Sequence, residues 1–127
     1  MIHKKQSLLV LVTLALLSGA CGRAPKQPAE TLAAACEAAR LKDTRAYQET
    51  LSRDKLSNLR ALAARSNMST DELLMQLIGN INCPERTQAG VTHFQGETAT
   101  LDVKAADSEE IERYRFVREG GDWKFAD

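Results

Sequence analysis

The chain contains no Cys-x-x-Cys pair, glycine-rich phosphate loop, nucleophile elbow, metal-binding helix or paired-carboxylate motif. Those absences remove the familiar signatures of redox, nucleotide-binding, hydrolytic and metal-dependent enzymes. An excess of one charge is missing too: 17 Lys and Arg balance 17 Asp and Glu. There is no basic stripe to engage nucleic acid and no charged block to act as a steering tail. Histidine occurs only twice and cysteine only three times. No apolar run reaches the ~20 residues a membrane span requires, and the one beginning at Leu8 is about half that length.

What is present begins with that short run. His3, Lys4 and Lys5 precede it, and it leads through Leu14-Ala15-Leu16-Leu17-Ser18-Gly19-Ala20 into Cys21-Gly22. A basic start, a short apolar centre and small residues before a cysteine form a secretion signal rather than a spanning helix. The segment resembles the lipobox of bacterial lipoproteins, and residues 1–20 read as the cleaved signal peptide. The resemblance implies acylation of Cys21, which becomes the new N-terminus. Two or three acyl chains, at roughly 0.8 kcal/mol per buried carbon, anchor a protein stably where one chain does not. Gly22, where an aspartate would signal retention, implies the outer membrane on its periplasmic side by the Gram-negative sorting habit; the inner or cytoplasmic membrane, outward facing, is the alternative. An ordinary secreted protein cut after Ala20 is the competing reading. Loss of Lys4 and Lys5 leaves 17 acidic residues in slight excess.

Residues 21–27 read as the lipidated cysteine and a tether, spanning some 20 Å at about 3.5 Å per residue. Residues 28–127 then fit one small domain. With Cys21 acylated, Cys36 and Cys83 remain as an even pair in an oxidising compartment, which reads as a disulfide. A redox pair or metal ligation is the weaker alternative, because only His93 survives maturation and a zinc site needs more ligands. No metal and no cofactor are expected.

Pro28 suits a first helical turn, and residues 29–41 place Leu32, Ala35, Cys36 and Ala39 on one stripe. Asp43 or Thr44 caps a short second helix through about residue 51, carrying Ala46 and Tyr47. A third follows Ser52, with Leu56, Leu59, Leu62 and Ala63 at helical spacing. Ser69-Thr70-Asp71-Glu72 is a capping box, and the helix it opens is expected to bury Leu73, Leu74, Leu77, Ile78 and Ile81. Helical structure ends within residues 80–84.

The period then changes to two. Residues 98–104 put Ala99, Leu101 and Val103 on one face and Thr98, Thr100, Asp102 and Lys104 on the other. Residues 94–97 read as the turn joining them to a strand from about Thr87. Residues 109–118 read as a third strand, and Glu119-Gly120-Gly121-Asp122 as a tight hairpin into a fourth over residues 123–126. With that turn, Phe116 faces Phe125 and Arg118 faces Trp123, which gathers Tyr114, Phe116, Trp123 and Phe125 on the inner face. Arg118 beside Trp123 is a candidate cation–π pair.

Helices followed by an antiparallel meander make an α+β pattern, with N-terminal helices expected to pack on one face of a curved four-stranded sheet. The alanine-rich opening helix, Gly-Glu-Thr-Ala-Thr-Leu-Asp-Val from Gly96 and Phe-Val-Arg-Glu-Gly-Gly-Asp-Trp-Lys-Phe from Phe116 resemble small bacterial lipoproteins with a nuclear-transport-factor-two-like, cystatin-like domain. That resemblance implies a cone between helices and sheet. It carries no catalytic motif, and such a fold hosts both enzymes and binders.

Enzymes of that kind use Asp, His or Tyr pairs in the cone. Here Tyr47, His93, Asp102 and Tyr114 are the candidates, but His93 and Asp102 fall on the outward face, and the two tyrosines read as core residues with polar tips. Catalytic residues are therefore not assigned. The expected work is non-enzymatic binding. One site is a partner or homodimer surface on the outer sheet face, where Ile111, Arg113, Arg115 and Val117 alternate with the core residues. The other is a cavity for a small apolar ligand lined by Tyr47, Leu77, Leu101, Tyr114 and Trp123. An isomerase or hydratase working in the same cone is the remaining alternative.

Overall fold

The computed structural model describes residues 26–81, 83, 89–104 and 109–126. The secretion signal, the lipidation site Cys21 and the expected strand start at Thr87 lie outside the described residues. Within them are four helices, α1 (Pro28–Leu41), α2 (Thr44–Gln48), α3 (Arg53–Arg65) and α4 (Thr70–Asn80). Four strands follow, β1 (Ala89–Gln95), β2 (Thr98–Lys104), β3 (Ile111–Glu119) and β4 (Asp122–Phe125).

Local chemistry sets the helix ends. Pro28 begins α1 with its fixed φ and its missing N–H. Lys42 ends it in the left-handed region (φ 55°), returning amides to Ala38 and Ala39. Asp43 accepts the amide of Ala46, Ser52 that of Lys55 and Ser69 that of Glu72, each at 3.1 Å, so three successive helices start on a side-chain cap. The second helix stops at Gln48, short of residue 51. Thr50 turns its hydroxyl back onto the Tyr47 carbonyl at 2.6 Å, and Leu51 goes instead into a parallel bridge with Phe125.

The strands form one antiparallel meander in the order β1-β2-β3-β4. Gly120 and Gly121 supply the two positive φ angles, 57° and 86°, that a tight primed turn demands. The register then sets Phe116 opposite Phe125 and Arg118 opposite Trp123. In the first hairpin Phe94 pairs with Ala99 and Gln95 with Thr98, so the turn is two residues long and Phe94 belongs to the strand. A bulge lies between Ala89 and Thr92. Gly90 sits within it, where a Cβ would stand 2.2 Å from the Asp102 carbonyl oxygen.

Residues of one sheet face join a single apolar cluster with Leu32, Ala35 and Ala38 of α1, Tyr47 of α2 and Leu74 and Ile78 of α4. The strand contribution is Ala99, Leu101, Val103, Phe116, Trp123 and Phe125, the inward set that the alternation of two specifies. Phe125 meets Phe116 at 4.7 Å and Tyr114 at 5.7 Å between ring centroids. Helix α3 turns Ala63, fully buried, and Leu56 and Leu59, packed against the cluster, to the core, while Leu62 departs from the expected stripe at 41 % exposed.

Two segments distant in sequence close on β4. The Lys26 amide donates to the Asp122 carboxylate at 2.8 Å, and the Trp123 amide to the Lys26 carbonyl at 3.0 Å. Further along, Phe125 donates to the Thr50 carbonyl (2.8 Å) and accepts from the Ser52 amide (2.9 Å). The last strand is thus covered on its outer edge.

Candidate functional site

Tyr47 from α2, Leu77 from α4 and Tyr114 from β3 converge on a pocket of about 240 Å³. Strand periodicity delivers Tyr114 and Glu112 to the same side, two residues apart, and the α3 cap at Ser52 places Lys55 in the first turn of α3 facing them. Leu59, Ile81 and Phe125 supply apolar wall, and Asn80 adds an amide at the end of α4. Two residues expected here lie elsewhere. Leu101 is fully buried (0 % exposed) within the core cluster. Trp123 is turned to Phe94, with ring centroids 5.5 Å apart. Both face inward as the alternation requires; their positions along the strands put packed side chains around them instead of space.

The two phenols share one electrostatic character. Burial pushes the Tyr47 hydroxyl above the ordinary tyrosine range. Tyr114 is pushed up further, by burial first, then by its hydrogen bond to the Glu112 carboxylate and by the charge of that carboxylate. Both stay protonated at neutral pH and act as donors, while Glu112 accepts. Glu112 and Lys55 were not singled out in the sequence. Glu112 was findable through its two-residue offset from Tyr114; Lys55 was not, because nothing local indicates which face of a polar helix meets the sheet.

The outer sheet face carries a different arrangement. Arg113 grips Asp102 through two hydrogen bonds, 2.7 and 3.2 Å. The Arg113 hydrogen bond and charge, with a smaller contribution from His93, hold the Asp102 carboxyl below the usual carboxylate range. Arg115 pairs in register with Thr100, and His93 with Thr100 from the other side, so these three share the outward face with Asp102 and Arg113. Ile111 is 64 % exposed beside them, and Val117 is half-buried. Lys124 reaches across to the Glu49 carbonyl. Trp123 takes Phe94, not Arg118, as its aromatic-face neighbour among the described contacts.

Cys36 and Cys83 form a disulfide, with Cα atoms 5.7 Å apart, that ties the middle of α1 to the segment after α4. Among the described residues no three His, Cys, Asp or Glu side chains group as metal ligands, and no helix is long and apolar enough to cross a membrane. No family model, curated protein or solved structure matches this chain.

Proposed function

We propose that this is a lipid-anchored bacterial envelope protein, held through acylated Cys21 at the periplasmic side of the outer membrane, whose cystatin-like cone binds a small amphipathic molecule. The observation that carries the binding reading is the meeting of Tyr47, Leu77 and Tyr114 around one pocket. A cavity of about 150 Å³ holds benzene, so about 240 Å³ suits a single ring or short chain bearing a polar group. The apolar wall would take its body, and the phenols and Glu112 its polar end. Proton transfer is the less favoured use. An isomerase or hydratase needs a base open to its substrate, and the Glu112 carboxylate already accepts from Tyr114.

Native mass spectrometry of the exported chain, purified without denaturation, tests this reading. Extra mass lost on gentle activation, and absent from Leu77→Trp, supports it. A bare chain whose melting is unmoved by a panel of single-ring phenols, amines and short-chain acids overturns it.

A second reading is favoured by Ile111, 64 % exposed on the outer face beside the Arg113–Asp102 pair. An exposed apolar residue next to an arginine suits a protein partner or a second copy of the chain. Reversal of both Arg113 and Arg115 to Glu should then abolish association; unchanged association removes it.

A further inference from the structure

Resting on the lipid anchor proposed above, we infer that the end of the domain where Lys26 joins β4 is a second contact with the same bilayer, with Phe94 as its apolar element and Arg118 as its basic one. Three observations place these groups together. The Lys26 carbonyl accepts from the Trp123 amide at 3.0 Å. The Trp123 ring lies 5.5 Å from that of Phe94. Arg118 stands opposite Trp123 in the register, and its amide donates to the Glu97 carbonyl at 2.9 Å, which joins the tips of the two hairpins.

The length of the tether selects the occupant. Lys26 is the fifth residue after Cys21, so at about 3.5 Å per residue the domain begins within roughly 18 Å of an acylated sulfur lying at headgroup level. The first part of the domain to meet the lipid is therefore the part around Lys26. There Phe94 leaves 56 % of its surface exposed, although its strand neighbours Ala99 and Phe116 are almost wholly buried. An aromatic ring with a basic side chain beside it is the composition of a membrane–water boundary. Two of the acidic groups at this end are engaged by backbone amides, Asp122 by that of Lys26 and Glu119 by that of Arg53, while Glu97 is exposed.

Trp123 is the only tryptophan in the chain, so its fluorescence reports on this end alone. The full chain, exported with its own leader and purified from membranes, is reconstituted into phosphatidylethanolamine–phosphatidylglycerol vesicles containing lipids brominated high on the acyl chain. Intact mass reads the state of Cys21. A variant with about twenty Gly and Ser residues inserted after Gly22 removes the proximity that the short tether enforces. The expected result is roughly twofold quenching of Trp123 in both proteins, lost from the spacer variant on Phe94→Ser or, independently of the ring pair, on Arg118→Glu. An unmodified Cys21 overturns the anchor, and the docked end with it. An acylated spacer protein whose Trp123 is unquenched overturns the docked end alone.

Discussion

The Thr31 hydroxyl donates a 2.6 Å hydrogen bond to the backbone carbonyl of Trp123, joining the first turn of α1 to the last strand. Thr31 is wholly buried, so water cannot replace it. Thr31→Val keeps the shape and removes the donor, and the expected loss is about 1–3 kcal/mol. Thr31→Ser keeps the bond and gives up one methyl, about 0.8 kcal/mol. Urea unfolding followed by Trp123 fluorescence separates the two, and a valine variant as stable as the parent would refute the role of the bond.

The Cys36–Cys83 link closes 47 residues, for which chain entropy sets an upper contribution of about 4 kcal/mol. The double replacement by Ala should lower stability by about 2–4 kcal/mol. Leu77, Asn80 and Ile81 of the pocket wall directly precede Cys83. Hydrogen exchange should therefore rise over residues 77–81 well before it rises in β2 or β3. Equal acceleration in both places would mean the bond holds the whole domain and not that wall.

Gly90 stands where an added Cβ would approach the Asp102 carbonyl oxygen to 2.2 Å. That oxygen is backbone, so relief requires β1 and β2 to separate at the bulge. Gly90→Ala should cost about 1–3 kcal/mol, seen as a lowered thermal midpoint with secondary structure retained. A midpoint unchanged within error would show that the bulge opens freely.

Burial raises the pKa of both tyrosines in the folded chain, and the Glu112 contact raises Tyr114 further. Below the ordinary tyrosine value of 10.0 both states are protonated and the contribution is fully present. Above it the unfolded chain releases protons first, so stability falls as pH rises towards the folded values. Absorbance at 295 nm should show delayed phenolate formation, and urea midpoints should decline from about pH 10 upward. Ordinary titration of either tyrosine in the folded protein would contradict the buried pair.

Features decided within a few residues were legible in the sequence. Ser52 and Ser69 cap helices because their side chains reach an amide three residues on, and Gly120-Gly121 fixes the pairing of Phe116 with Phe125 by its length. Inward and outward faces of β2 and β3 followed from alternation alone. Depth did not: Leu101 and Tyr114 face each other across the sheet, yet one is sealed and the other lines the pocket. Contacts spanning most of the chain, such as Lys26 with Asp122 and Thr31 with Trp123, leave no periodic trace. On α3 the spacing identifies Leu56, Leu59 and Ala63 as core-facing but adds Leu62, which stays 41 % exposed.

The covering of β4 by Lys26, Thr50 and Ser52 takes one edge of the sheet out of reach of a neighbouring molecule. A growing fibril needs two receptive edges on every unit. Extension of the sheet past β4 is therefore blocked, because its donors and acceptors are already spent within the domain.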